Sequence, residues 1–212
     1  MNSERALRFL RLYGTRAPFC QPEGPIVVTE TSRPLRADAA RNRARVLAVA
    51  YETFAAEGVA VPIDEIARRA GVGPGTVYRH FPTKEALFQA VIEDRVRSIV
   101  AAAETLLADD PGSALFEFLR EMVRTAAVDH GMADALASYG VDIDQAAPGA
   151  EAAFVKVLTD LLAAGQRAGT VRADIGPAEV KALLMVCKST QDHGAGIADR
   201  VVAVIVDGLR AS

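Results

Sequence analysis

Cysteine is nearly absent from this 212-residue chain: there are two, Cys20 and Cys187, far apart and in unlike company. That count suits a reduced cytoplasmic protein better than a disulfide scaffold. Cys187 sits among apolar neighbours and reads as a buried thiol. Long apolar runs are missing as well. None approaches the ~18 uninterrupted residues of a membrane span, so no membrane partner is expected. The first residues hold no apolar stretch followed by a small-residue cleavage site, and secretion is not expected either. Strand signals are scarce: the best candidate is the short IVVTE from Ile26, and it has no partner of similar character. Catalytic signatures are lacking too. There is no phosphate-cradling glycine loop, no Gly-x-Ser-x-Gly elbow and no His-Glu-x-x-His, so no catalytic residue and no cofactor are expected. His130 and His193 stand alone, without a second His or Cys at ligand spacing, which argues against a metal site.

Half of the residues are hydrophobic and 24% are charged, the profile of a globular protein of one large domain or a small one plus a larger. The net charge of −3 conceals an asymmetry. Residues 36–97 carry a balance of +2, residues 98–212 one of −7, and the first 35 residues one of +2. A mildly basic front and an acidic rear suggest that only the front meets a polyanion.

Elsewhere apolar residues recur at helical spacing between Gly, Pro and Asp punctuation, so the chain is read as all-α. The opening differs. Pro18, Pro22, Pro25 and Pro34, with Gly14 and Gly24, predict a loosely ordered arm over 1–37. A helix is expected from Asp38, with Leu47, Ala50, Tyr51 and Phe54 as its buried stripe and Gly58 as its stop. Arg41, Arg43 and Arg45 fall near that expected start, where they oppose the helix dipole; either a partner outside the helix compensates them or they are three solvated arginines. A second helix is predicted from Pro62 to Ala70, with Asp64 and Glu65 in its first turn and Ile63, Ile66, Ala67 and Ala70 inward.

Next comes GVGPGTVYRHF, residues 71–81. Gly71 can close the preceding helix in the left-handed conformation, Val72 plugs the angle, and Pro74 opens a new helix without losing a needed N–H. Two short helices crossing through a glycine turn make a helix-turn-helix. The second of them enters the major groove by its first turn. Gly75 there permits close approach, and Thr76 offers a hydroxyl and a methyl to base edges. Val77 and Phe81 face inward. Tyr78, Arg79 and His80 present donors to phosphates or bases. Lys84, in the first turn of a fourth helix beginning at Thr83, is placed as a phosphate clamp.

This stretch resembles the tetracycline-repressor (TetR) family of bacterial transcription regulators. The resemblance covers roughly Asp38 to Arg95. It rests on the first helix ending FAAEG, on IDEIARRAGVGPGTVYRHFPTKEAL, and above all on Gly75 to Phe81 followed by Thr83-Lys84-Glu85. It implies a three-helix DNA-binding head over 38–84, with Arg43 joining the recognition residues at the DNA. It also implies a larger helical domain over 85–212 that dimerises and holds an effector. The expected activity is a ligand-responsive repressor on a palindromic double-stranded DNA operator. The alternative is a helical small-molecule-binding or interaction module that does not bind DNA. One feature departs from the family pattern: Val61-Pro62 stands where a Ser or Thr usually caps the second helix and touches phosphate.

In the rear, helices are expected over 83–107, 113–127, 133–139, 148–167, 177–192 and 196–210, with a break at DDPGS. Phe116, Phe118, Met122, Tyr139, Phe154 and Met185 are the candidates to line an apolar effector cavity; the alternative is that they fill the core. The last two helices carry apolar stripes, and the resemblance makes them a four-helix seam between two copies. Its candidate residues are Val180 and Leu184, then Ile197, Val201, Val204 and Ile205. Finally, residues 1–27 are expected to lie outside the functional protein, with Val28 (GTG as a bacterial start codon) opening a short arm. The alternative is a basic arm of Arg5, Arg8, Arg11 and Arg16 reaching into a minor groove.

Overall fold

The computed structural model describes residues 32–138, 147–189 and 195–211. Among them are eight helices: α1 Ser32–Glu57, α2 Ile63–Arg69, α3 Pro74–His80, α4 Lys84–Asp109, α5 Ala114–Ser138, α6 Ala150–Arg167, α7 Pro177–Ser189 and α8 Ala195–Leu209. The described residues contain no named strand, only an isolated antiparallel bridge between Val171 and Arg210. The fold is all-α, with an N-terminal helix-turn-helix and a larger helical C-terminal part. Arg36–Ser212 forms one compact unit. The expectations for residues 1–27 and for Val28 as a start lie outside the described residues.

Two apolar cores organise that unit. The front core gathers Leu47, Ala50 and Phe54 of α1, Ile63, Ile66 and Ala67 of α2, Val77 of α3, Phe81, and Leu87, Phe88 and Val91 of α4. Phe54 and Phe88 meet with ring centroids 4.5 Å apart at 58°. Burying one such side chain stabilises the fold by about 1.5–3 kcal/mol. The rear core combines Leu115, Phe118, Leu119 and Met122 of α5, Leu158, Leu161 and Leu162 of α6, Val180 and Leu184 of α7, and Val202 and Val206 of α8. Both α4 and α5 reach from one core into the other: Ala103 of α4 lies in the rear core, and Met132 and Ala135 of α5 lie in the front one.

Two expectations are corrected, the start of α1 and the split of α5. Helix α1 begins at Ser32 rather than Asp38, so Arg41, Arg43 and Arg45 stand in its interior and the opposition to the dipole disappears. Arg41 instead pairs with Asp38, and Arg45 donates to Asn42 Oδ1 at 3.1 Å, each one turn back. Helix α4 runs to Asp109, slightly past Leu107, where Asp110 stops the chain by accepting from Gly112 N at 3.1 Å and Ser113 Oγ at 2.7 Å. The separate helices expected at 113–127 and 133–139 are a single helix, α5. The glycine between them, Gly131, is no break: a Cβ there would stand 2.5 Å from the Ala55 carbonyl oxygen, so glycine lets α5 lie backbone against backbone on α1.

Candidate nucleic-acid interface

The turn between α2 and α3 is built by hydrogen bonds that only a left-handed residue permits. Gly71 has φ +65°, its N–H bonds to Arg68 O at 3.1 Å, and Val72 N–H bonds to Ala67 O at 3.0 Å. These are the paired closing bonds of a Schellman motif, and they aim the chain away from α2. Gly73 then caps α3 in an extended conformation, Pro74 takes the first helical position, and Thr76 N bonds to Gly73 O at 2.9 Å.

Helix α3 has only seven residues, and its inward anchor is one side chain, Val77, with Phe81 following. Both are buried in the front core. Their burial turns Gly75, Tyr78, Arg79 and His80 outward, with Tyr78 44% exposed, and leaves Thr76 half-buried. Apart from its chain neighbours and the backbone of its own helix, nothing lies within 4 Å of a Cβ placed on Gly75, so the room that this glycine leaves faces out of the protein. Arg79 folds its Nε onto Gly75 O at 3.0 Å, which lays the guanidinium along the outer surface of the helix. Arg43 of α1 lies with its guanidinium 5.5 Å from the Phe81 ring centre, bringing a third element to the same end of α3. Thr83 caps α4 by accepting from Ala86 N at 3.1 Å, which sets Lys84 at the first position of that helix. Burial lowers the Lys84 pKa below its usual value, and Glu85 opposes the shift. At the start of α2, Pro62 makes no side-chain cap bond, and its carbonyl instead accepts from Glu65 N at 3.1 Å.

A clasp beside this surface was not anticipated. Arg68 and Arg69 share the Glu65 carboxylate, each with Nε at 2.7 Å, and Arg69 Nη2 continues to Glu57 Oε2 at 3.0 Å. The acid-base spacing in DEIARR signals the first part. The Glu57 link depends on how the end of α1 meets α2, which no local pattern encodes. Bonds from Arg68 and Arg69 hold the Glu65 carboxyl down to about 2.

The other candidate residues fall in different places. Phe116, Phe118 and Met122 are buried in the rear core. Arg210 caps the Phe116 ring at 5.0 Å, and Phe118 lies 6.4 Å from the half-buried ring of Phe154. Met185 is exposed on α7, apart from that core, and Tyr139 lies outside the described residues. Val180 and Leu184 are buried within the protomer, because α7 turns them inward with Cys187, and from there they cannot meet a second copy. Val201 and Ile205 are half-buried, whereas Ile197 is exposed and Val204 is 72% exposed. Val186 on α7 is also exposed. Burial raises the Cys187 thiol above its usual pKa, which disfavours the reactive thiolate. Among the described residues, no group of three His, Cys, Asp or Glu could hold a metal, and no helix is long and apolar enough to cross a membrane.

Comparison with known proteins agrees with this geometry. Residues 46–91 match the family model described as "Bacterial regulatory proteins, tetR family", and residues 110–211 match "Transcriptional regulator SbtR-like, C-terminal domain". The TetR transcription regulatory protein from Mycobacterium vanbaalenii is 66% identical, with a TM-score of 0.75, over 84% of this chain and 100% of that one. The TetR transcriptional regulator SCO0520 from Streptomyces coelicolor is 34% identical, with a TM-score of 0.71, over 80% of this chain and 99% of that one. Similarity to the curated HTH-type transcriptional regulator SrpR of Pseudomonas putida is narrower: 43% identity over 65 residues, 30% of either chain.

Proposed function

This chain belongs to the tetR family of bacterial regulatory proteins, DNA-binding transcriptional regulators and not enzymes, and we propose that it is a ligand-responsive repressor acting as a homodimer. Residues 38–84 form the head, and residues 85–212 form the domain that takes the effector and pairs two copies. The two heads occupy successive major grooves of a near-palindromic operator, about one helical turn apart. What carries this reading is the outward set on α3, held in place by the burial of Val77 and Phe81. Gly75 and Thr76 approach the base edges. Tyr78, Arg79 and His80, with Arg43 and Lys84 beside them, fit phosphates.

A second copy covers the exposed apolar residues of α7 and α8, namely Met185, Val186, Ile197 and Val204. The effector is an apolar small molecule held between α5 and α6 near Phe118 and Phe154, and its coupling to operator binding is reciprocal. No cofactor is needed, and the site of action is the cytoplasm.

The test is a gel shift across a salt series, on a duplex that the full chain selects from a random-sequence library. Thr76→Ala relaxes preference at one base pair, at a cost of about 1–3 kcal/mol. Tyr78→Ala and Lys84→Ala weaken binding to all duplexes alike, and losing the Lys84 phosphate contact lowers the salt slope by about 1. Binding by all three variants equal to wild type would refute the assignment of α3 to the groove.

A further inference from the structure

Three helices meet at one carboxylate. Asp129, on α5, receives Arg95 of α4 through two parallel bonds, Nε to Oδ1 and Nη2 to Oδ2, both 2.8 Å. Tyr51 of α1 donates its hydroxyl to Oδ1, and its ring centre lies 5.7 Å from the Arg95 guanidinium. Thr125, one turn back on α5, accepts from Arg95 Nη2 at 2.9 Å and lies 3.2 Å from Asp129 Oδ2. The Arg95 and Asp129 side chains keep only 22% and 14% of their exposure, so water competes weakly for these bonds. Burial, with Asp129 beside it, raises the Tyr51 phenol above its usual pKa and keeps it a donor.

The next turn of α5 adds a steric stop, since Gly131 rests against the Ala55 carbonyl of α1. Beyond it, Met132 and Ala135 enter the front core. Apolar packing alone tolerates small slides between helices, whereas a forked ion pair fixes distance and angle together. A part-buried ion pair is weak evidence for stability, so its directional geometry calls for another account. The rest of the same buried stripe of α1 supplies that account. Leu47, Ala50 and Phe54 share the front core with Ile63, Ile66 and Ala67 of α2 and Val77 of α3, and Phe54 also meets Phe88 of α4. Whatever fixes α1 on α4 and α5 therefore fixes the attitude of the recognition helix.

We infer that Asp129, Arg95 and Tyr51 are positioning residues for operator binding: without touching DNA, they set the half-site spacing that two paired copies accept. The inference rests on the two-headed reading above. Inserting one base pair between half-sites moves them about 3.4 Å apart and turns them by about a tenth of a revolution. Rigidly held heads reject that change, and loosened heads follow it.

The experiment uses the full chain and the palindromic duplex it selects from a random library, rebuilt with one base pair added or removed at the centre. Wild type should lose about tenfold or more in affinity on either change, and Asp129→Asn about threefold or less. The readout is the ratio of affinities within one protein sample, so a lower folded fraction cancels and simple destabilisation leaves it unmoved. Tyr51→Phe keeps the ring and removes one bond; it should fall between the two and provides the test if Asp129→Asn does not fold. Spacing ratios equal to wild type in the folded variants would overturn the inference and leave the cluster a structural ion pair. A wild-type chain that enriches no paired half-sites would overturn the two-headed reading itself, and this inference with it.

Discussion

Replacing Gly131 with alanine would put a methyl carbon 2.5 Å from the Ala55 carbonyl oxygen and 3.3 Å from the carbonyl carbon. Carbon–oxygen contacts are comfortable from about 3.3 Å, so α5 and α1 must part by roughly 0.8 Å at that turn. Both sides of the contact are backbone-fixed, and no rotamer change relieves it. Overpacking of this kind costs about 1–3 kcal/mol, and with no flexible side chain to yield, the upper half of that range applies. Alanine returns about 1 kcal/mol of helix propensity relative to glycine. The balance is a destabilisation of about 1–2 kcal/mol, or a Tm lower by about 2–8 °C for a chain of this size. Gly208 is the control. It lies in helix α8, and a Cβ there meets nothing within 4 Å, so Gly208→Ala should hold or raise Tm. Thermal melts followed by circular dichroism, at one protein concentration because association shifts Tm, compare the two variants. If Gly131→Ala melts with or above Gly208→Ala, the helices do not touch as described and the steric stop is absent.

Other perturbations follow from the same geometry. Gly71→Ala forces a side chain into φ +65° and should cost about 1–2 kcal/mol, read as a lower melting temperature; an unchanged melt means the turn has another conformation. Phe54→Ala empties the centre of the front core and should cost about 3–5 kcal/mol in a urea titration, with a loss under 1 contradicting that burial. Glu65, whose folded carboxyl is held down to about 2 against an ordinary 4.5, contributes stability that is complete above 4.5 and is lost as pH falls toward 2. Arg68→Ala with Arg69→Ala should return its titration midpoint, followed by carboxyl carbon NMR, toward 4.5; an unmoved midpoint would mean the clasp is not formed. Val204→Glu alters a side chain that is 72% exposed in one copy, so the protomer should stay folded while light scattering reports monomers. A dimer that persists would move the seam away from α8.

What the sequence could disclose follows the range of the forces involved. The helix-turn-helix was legible because each of its parts is local: a left-handed glycine at 71, a proline at 74, and an inward pair at 77 and 81. The start of α1 was hidden by the proline-rich stretch before it, although Pro34 falls in the first turn, where a proline breaks no helical bond. Helix α8 posed a different problem. Its apolar arc covers more than half its circumference, with Asp199, Arg200 and Asp207 on the rest, so periodicity could not fix which part of that arc turns inward; Ala198, Val202 and Val206 do, and Ile197 and Val204 do not. The continuity of α5 across 128–132 was hidden because the neighbour that Gly131 accommodates, Ala55, lies in another helix. Tyr51 was counted with the apolar stripe of α1, while its hydroxyl goes to Asp129, far along the chain. The features that stayed hidden have something in common. Pattern reading succeeds within an element and fails where one element is registered against another, and in this fold the contact of α1 with α5 is such a place. The residues that locate the recognition helix on the rest of the protein are therefore the ones that sequence periodicity is least able to find. Perturbing Gly131 and Asp129 tests that contact by two independent routes, one steric and one electrostatic.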